Sequence, residues 1–153
     1  MPEVGAIAAG FVLRTVEPAD LLPLAELMLE AFRDTVDYEG ERLAEAIEEV
    51  QRYLSPTSED PALLGHSVLV CTGARLCCAC LVMKWHRRQC PLIGYVMCHP
   101  AWKRRSLASL ALAESLRRLG EAGFSQVRAV ITEGNVASER LFSSAGFARL
   151  ASR

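Results

Sequence analysis

The sequence lacks an apolar run long enough to cross a lipid bilayer, and it lacks an excess of charge of either sign. Its 153 residues include 17 Lys and Arg against 18 Asp and Glu, so no net field attracts nucleic acid or anionic membrane. Residues 1–10 have no basic start, which makes them a poor secretion signal. We therefore expect a cytoplasmic protein that binds neither nucleic acid nor membrane, with residues 1–10 as a disordered leader.

A repeated C-x-x-C pair, the common zinc spacing, is also absent, although the chain has six cysteines, which are Cys71, Cys77, Cys78, Cys80, Cys90 and Cys98. Without a secretion signal, a disulfide framework is not expected. Three of the cysteines lie in the apolar run Leu76–Met83, where strand alternation places Cys78 and Cys80 on one face and Cys77 on the other. The sequence therefore predicts packed thiols and no metal site.

What the chain does contain is a succession of strand and helix patterns. Strands are predicted over Phe11–Val16, Ser67–Cys71, Leu76–Met83, Leu92–Cys98 and Val127–Thr132, with a strand stub after Phe147. Helices are predicted over Asp20–Phe32, Leu43–Leu54, about Arg104–Ala122 and Asn135–Ala145. The order β-α-α-β-β-β-α-β-α-β, without a linker or repeat, indicates one α/β or α+β domain over residues 11–153 with a mixed sheet.

The segment after Pro100 carries the first chemical signal. Lys103, Arg104 and Arg105 lie in the turn between a strand and a long helix, and Ser106 and Ala108 open that helix. The first turn of a helix has free backbone N–H groups that suit a phosphate, and flanking cations add charge-assisted contacts. An anion site and a solvated basic turn are both compatible with this pattern.

A second cluster of polar residues follows the next strand, at Thr132–Ser138. Asn135 begins a short helix, where its side chain can cap the helix or bond a ligand lying across the sheet. That helix continues through Phe142 to Gly146 and Phe147.

Taken together, the two segments resemble the GNAT superfamily of N-acetyltransferases. The coenzyme A motif of that family is Gln/Arg-x-x-Gly-x-Gly/Ala. It corresponds here to Lys103-Arg104-Arg105-Ser106-Leu107-Ala108. The second signature of the family corresponds to Asn135, Ser138, Phe142 and Gly146-Phe147. The order of elements also matches from Phe11 onward, so the resemblance covers nearly the whole chain.

The resemblance implies a mostly antiparallel sheet with helices on both faces, in which the fourth and fifth strands splay apart. Acetyl-coenzyme A would lie between them as co-substrate, with backbone groups near Met97 and Cys98 bonding its pantetheine. Amides from Arg104 to Ala108 would take the diphosphate. An amine of a small molecule, amino acid or peptide would then attack the acetyl group directly in a ternary complex, with one backbone amide polarising the thioester carbonyl.

The sequence departs from the family pattern at several positions. Lys103 replaces the usual Gln or Arg, and Ser106 replaces the first glycine. Phe142 stands where many members have a tyrosine that protonates the departing thiolate, and the motif strand carries no carboxylate. The chain ends six residues after Phe147, so we expect a truncated last strand and an exposed sheet edge that suits a homodimer.

An amine must lose a proton before it attacks, so a base is required. The candidates for catalysis are Tyr95, His99 and the backbone amide of Cys98, with the acidic segment Asp34, Asp37, Glu39 and Glu41 over the acceptor site by analogy. Trp85 and His86 are weaker candidates.

Two other functions are open alternatives. A GNAT-fold module that binds acyl-coenzyme A without turnover would account for the missing tyrosine and carboxylate. A thiol or zinc protein built on the cysteines would bind stoichiometric metal and lose its fold with a chelator.

Overall fold

In a computed structural model that describes residues 10–33, 35, 38–103 and 105–150, five strands form one sheet in chain order. The strands are β1 (Val12–Thr15), β2 (Val68–Thr72), β3 (Arg75–Trp85), β4 (Cys90–Cys98) and β5 (Arg128–Ala129). Neighbouring strands are antiparallel except β4 and β5, which are parallel. The predicted mixed, mostly antiparallel sheet is confirmed. The predicted leader lies, apart from Gly10, outside the described residues.

Two pairs of helices cover the two faces of the sheet. The apolar sides of α1 (Leu21–Phe32) and α2 (Leu43–Leu54) pack on one face, and those of α3 (Leu107–Glu121) and α4 (Val136–Ser144) pack on the other. The central strand β3 is therefore covered twice, and its residues 77–82 are fully buried. Each helix shows apolar residues at three- and four-residue spacing because only one side of it faces the sheet. Among the described residues no helix is both long and apolar enough to cross a lipid bilayer.

Three predicted element boundaries differ from the structure. Helix α3 begins at Leu107 rather than near Arg104, because Ser106 has a φ of 61° and cannot continue a right-handed helix. Strand β5 has two residues instead of six, since it leaves the side of β4 after Ala129. The described residues after α4, 145–150, contain no strand. The predicted strand stub after Phe147 is therefore not found among them.

The cysteines also differ from their predicted arrangement. Cys77, Cys78 and Cys80 all face the α3 side of the sheet, because a bulge between Val70 and Cys71 of β2 leaves Cys77 without an opposite residue. Cys78 and Cys98 are directly paired on β3 and β4, with their Cα atoms 4.1 Å apart, and the structure joins them by a disulfide. The prediction of packed thiols is thus wrong for this pair, whereas Cys77, Cys80 and Cys90 are buried free thiols.

A buried hydrogen-bond network fixes α2 to the sheet. The hydroxyl of Tyr53, near the end of α2, lies 2.6 Å from the Ser67 hydroxyl. The Ser67 oxygen in turn accepts a hydrogen bond of 2.8 Å from the backbone N–H of Val82 on β3. Because Tyr53 is only 4% exposed, loss of a partner inside this network leaves a polar group without water to replace it.

We expect Tyr53→Phe to lower the free energy of unfolding by about 1–2 kcal/mol, because Ser67 loses a buried partner. Tyr38→Phe is the matched control, since the Tyr38 hydroxyl donates to the Glu41 carbonyl at an exposed position. We expect its effect to stay within about 0.5 kcal/mol. Urea titration of both variants measures the difference. Equal losses would show that the network does not hold α2.

Candidate active site

Strands β4 and β5 separate within the sheet and leave a fork between them. They pair only at Leu92–Arg128 and Ile93–Ala129, whereas β4 continues for five more residues to Cys98. On the β5 side, no strand of the described residues pairs with this part of β4. Its backbone groups there are available to an extended ligand, since buried backbone donors and acceptors require partners. The splayed fourth and fifth strands expected from the sequence are confirmed.

The ladder with β3 determines which backbone groups point into the fork. The N–H of His99 donates to the Cys77 carbonyl at 2.8 Å, which makes Cys78–Cys98 a non-hydrogen-bonded pair of the antiparallel ladder. The N–H and C=O groups of Cys98, and of Val96 two residues earlier, therefore point away from β3 and towards the fork. The corresponding groups of Met97 face β3. Cys98 and Val96 thus offer the amides that a ligand in the fork would meet.

A β-bulge lies where the fork begins. Leu81 pairs with Tyr95 and Val82 pairs with Ile93, so Gly94 is an extra residue on β4. The bulge changes the alternation of side chains: Ile93 packs in the core on the α3 side, whereas Tyr95 packs on the side of α1 and α2. A Cβ atom at Gly94 would overlap the end of the Met83 side chain. Bulges of this kind redirect side chains next to active sites.

The turn that follows β4 is held by His99. Its Nδ1 accepts a hydrogen bond of 3.0 Å from the Ala101 N–H, and its ring meets Trp102 edge-on at 5.5 Å. The Trp102 ring has a second contact with Arg75, whose guanidinium carbon lies 5.0 Å from the centre of the ring. His99, a predicted catalytic candidate, therefore caps the short 3₁₀ turn Pro100–Trp102, with one ring nitrogen already engaged.

The N-terminus of α3 is open to a ligand. Its first backbone hydrogen bond runs from Leu110 to the Ser106 carbonyl at 3.0 Å, and the Ser106 side chain makes no capping bond. The amides of the first turn, including those of Leu107 and Ala108, are consequently left for another acceptor. Lys103 and Arg105 are exposed beside them, while Arg104 lies outside the described residues. The predicted anion site is thus an uncapped, cationic helix start beyond the open end of the fork.

The second predicted cluster lies at the start of α4. The Asn135 side chain accepts a hydrogen bond of 3.2 Å from the Ser138 N–H and caps the helix. Phe142 is buried on the α3 side of the sheet and meets Phe147 edge-on at 5.0 Å. A groove of about 1530 Å³ passes Phe142 and residues 127–131, which include β5. Neither β4 nor Lys103, Arg105 and Ser106 line this groove.

The structure adds Glu49 to the candidate residues, although the sequence did not single it out. The Tyr95 hydroxyl donates a hydrogen bond to Oε2 of Glu49 on α2, and the other carboxylate oxygen of Glu49 binds Arg52. Burial raises the pKa of Tyr95 above its usual range, and the hydrogen bond to Glu49 raises it further, so Tyr95 is a protonated donor at neutral pH. The sequence offered no signal that separates Glu49 from Glu45 and Glu48 on the same helix.

The acidic segment before α2 is only partly described. Glu39 and Glu41 are exposed, and Glu41 accepts a hydrogen bond of 2.9 Å from the Glu39 N–H. Asp34 and Asp37 lie outside the described residues. The weaker candidate His86 is exposed at the β3–β4 turn, where its N–H donates to Asp60. Within the described part of the chain, no three His, Cys, Asp or Glu side chains are grouped to hold a metal ion.

A family model described as acetyltransferase (GNAT) domain matches residues 11–148 of the chain. No curated protein matches the sequence.

Several solved structures share the fold at low identity. The PaiA N-acetyltransferase of Thermoplasma acidophilum in complex with coenzyme A is 15% identical with a TM-score of 0.73, over 94% of this chain and 92% of that one. The ribosomal-protein-S18-alanine N-acetyltransferase of Escherichia coli is 13% identical with a TM-score of 0.69, over 92% and 79%. An aminoglycoside N-acetyltransferase in complex with coenzyme A is 11% identical with a TM-score of 0.69, over 94% and 91%.

Proposed function

Because the chain belongs to the GNAT acetyltransferase family, we propose that it transfers the acetyl group of acetyl-coenzyme A to a primary amine of a small molecule, amino acid or peptide. The observation that carries the proposal is the fork between β4 and β5, whose open end leads directly into the cationic start of α3. The two features match the two halves of the coenzyme, an extended amide-bearing arm and a diphosphate. Similar structures in complex with coenzyme A support the same assignment.

The fork suits the pantetheine arm as an additional strand. The backbone groups of Val96 and Cys98 face the fork, where the Cys98 N–H and the two carbonyls would bond the two amide groups of the arm. With the diphosphate at the start of α3, the arm would enter the fork past Cys98. The Val96 N–H, two residues nearer the closed end, would therefore polarise the thioester carbonyl in place of the Cys98 amide expected from the sequence. A backbone N–H held in a strand needs no reorganisation as negative charge develops on that oxygen, which is the physical basis of oxyanion stabilisation.

The turn before α3 suits the diphosphate. The free amides of Leu107 and Ala108 point out of the helix, and the partial positive charge of the helix N-terminus adds to that of Lys103 and Arg105. Ser106 supplies a hydroxyl that can donate to a phosphate oxygen. Arg104 is proposed to contribute by its place in the motif. Asn135, Ser138 and Phe142 would border the site through α4, with Phe142 as an apolar contact.

We expect acetyl-coenzyme A to raise the midpoint of thermal unfolding, because a ligand that binds only the folded state stabilises it. At a hundredfold excess over Kd the gain is about 2.7 kcal/mol, roughly 5–10 °C for a domain of this size. Differential scanning fluorimetry with acetyl-coenzyme A, with free adenine as the control, measures the shift. No shift at millimolar coenzyme would overturn the assignment of the fork and the turn.

A non-catalytic acyl-coenzyme A-binding module is the second candidate. The buried ring of Phe142, packed on Phe147, favours it because phenylalanine offers no hydroxyl to the departing thiolate. Release of coenzyme thiol in the presence of primary amines separates the two functions. Stabilisation by acetyl-coenzyme A without thiol release on any amine would support the binding module.

A further inference from the structure

We propose that Glu49 accepts the proton of the acceptor amine through the hydroxyl of Tyr95, and that the acceptors are therefore alkylamines that reach the site as ammonium ions. This inference rests on the acetyltransferase function proposed above. It adds a base to a site whose motif strand carries no carboxylate, and it names the chemical class of the acceptor.

Tyr95 lies where its hydroxyl can face the acceptor amine. Tyr95 follows the bulge at Gly94, where β5 leaves β4, so its backbone lies at the closed end of the fork. The bulge directs its side chain out of the sheet towards α1 and α2. A pantetheine arm within the fork would occupy the plane of the sheet, which leaves the face with Tyr95 for a second substrate. The hydroxyl therefore lies on the face from which an amine would approach.

Glu49 makes contacts that leave it able to bind a cationic amine. Its Oε2 receives the Tyr95 hydroxyl, and its Oε1 receives the guanidinium of Arg52. The side chain of Glu49 is 37% exposed and that of Arg52 is 70% exposed, so this ion pair is weak and can give way to another cation. The remaining neighbours of Tyr95 on β3 are apolar, with Leu81 directly opposite. Glu49 is thus the carboxylate that a cationic amine beside Tyr95 would meet.

The anchoring of α2 keeps Glu49 in place. Tyr53 lies one helical turn after Glu49 and is fixed to β3 through Ser67. Residues four apart on a helix share a face, so the buried network that holds Tyr53 also holds Glu49 over the sheet. A catalytic carboxylate must keep its place within a fraction of an ångström, and this network provides that constraint.

The proposed proton transfers balance in the following order. One proton of the ammonium passes to the Tyr95 oxygen as the Tyr95 proton passes to Glu49, which becomes a neutral carboxylic acid. The free nitrogen lone pair forms the C–N bond with the acetyl carbon, and the C–S bond then breaks with its electrons on sulfur. The thiolate takes the second proton lost by the nitrogen. Glu49 finally releases its proton to water, so the products are the acetamide, coenzyme A thiol and one proton.

A matched pair of acceptors tests the inference. Ethylamine is an ammonium ion at pH 7.5, whereas 2,2,2-trifluoroethylamine is unprotonated there because its fluorines withdraw electrons. We expect Glu49→Gln to lower kcat/KM for ethylamine by about 10²- to 10⁴-fold, the usual contribution of a general base. For trifluoroethylamine we expect a change within about threefold, since no ammonium proton has to be removed. Tyr95→Phe should show the same selective loss.

Glu48→Gln is the control, because Glu48 is the adjacent, exposed carboxylate of α2, and it should leave both rates unchanged. Equal losses of Glu49→Gln on both amines, or no loss on either, would overturn the inference. The inference would also be overturned if the wild-type protein bound acetyl-coenzyme A but acetylated neither amine. Failure of acetyl-coenzyme A to raise the unfolding temperature would instead overturn the proposed function itself, which keeps the two failures distinct.

Discussion

Replacing Ser106 with glutamate is expected to abolish the stabilisation of this protein by acetyl-coenzyme A. Ser106 is exposed immediately before α3 and lies among the free amides and cations assigned to the diphosphate. A carboxylate there would place a negative charge against the phosphate charges and would occupy the first-turn amides itself as a cap. We expect Kd to rise by at least about 100-fold, which removes about 2.7 kcal/mol of binding free energy. Calorimetric titration measures that change.

Two further serine variants make the result specific. Ser125→Glu adds the same charge at an exposed position in the loop after α3, and it should bind the coenzyme like the wild type. Ser106→Gly should keep binding and should also stabilise the unliganded protein by about 1 kcal/mol, because glycine adopts a φ of 61° without steric cost. If Ser106→Glu kept its affinity, the diphosphate would have to bind elsewhere.

Leu81→Ala is expected to give the largest loss of stability of the variants considered. Leu81 is fully buried on the central strand β3, opposite Tyr95. Since helices and the sheet enclose it, the cavity left by the deletion cannot collapse freely. Large-to-small changes of this kind cost about 2–5 kcal/mol. We expect a loss of about 3 kcal/mol, or roughly 6–12 °C in Tm for a domain of this size, as measured by denaturant titration and calorimetry.

Leu22→Ala is the matched control for this variant. It deletes the same atoms from α1 at a position that is 48% exposed, where alanine is also the better helix former. We expect its effect to stay below about 1 kcal/mol. Similar losses at Leu22 and Leu81 would contradict the two-layer burial of β3. The ligand-induced shift should persist in both variants, because neither side chain belongs to the fork.

The local sequence pattern was sufficient to predict most of the helices and strands. The spacing of apolar residues in α1 and α2 depends only on which side of a helix is buried, and both helices lie where the sequence predicted them. The end of β5 could not be predicted in this way. Its apolar run continues past Ala129, and only its divergence from β4 determines that pairing stops there. The alternation predicted for Cys77 was wrong for a related reason, since a bulge in the β2–β3 ladder reverses it.

The coenzyme half of the candidate site was accessible from the sequence, and the acceptor half was not. A cationic turn before a helix is contiguous in the chain, so residues 103–108 could be assigned to an anion before the fold was known. The pairing of Glu49 with Tyr95 joins residues 46 positions apart. Glu45, Glu48 and Glu49 share one helix and one charge, and their neighbours in sequence do not indicate which of them faces the sheet.

The sequence by itself determined the order of the elements, the cationic turn and the family to which the chain belongs, because each is written in contiguous residues. Tertiary structure alone decided the bulge at Gly94, the side chain direction of Tyr95 and the contact with Glu49. Hydrogen-bond register sets the first two, and the packing of α2 on the sheet sets the third. Register and packing depend on partners that are distant in the chain, so no local pattern contains them.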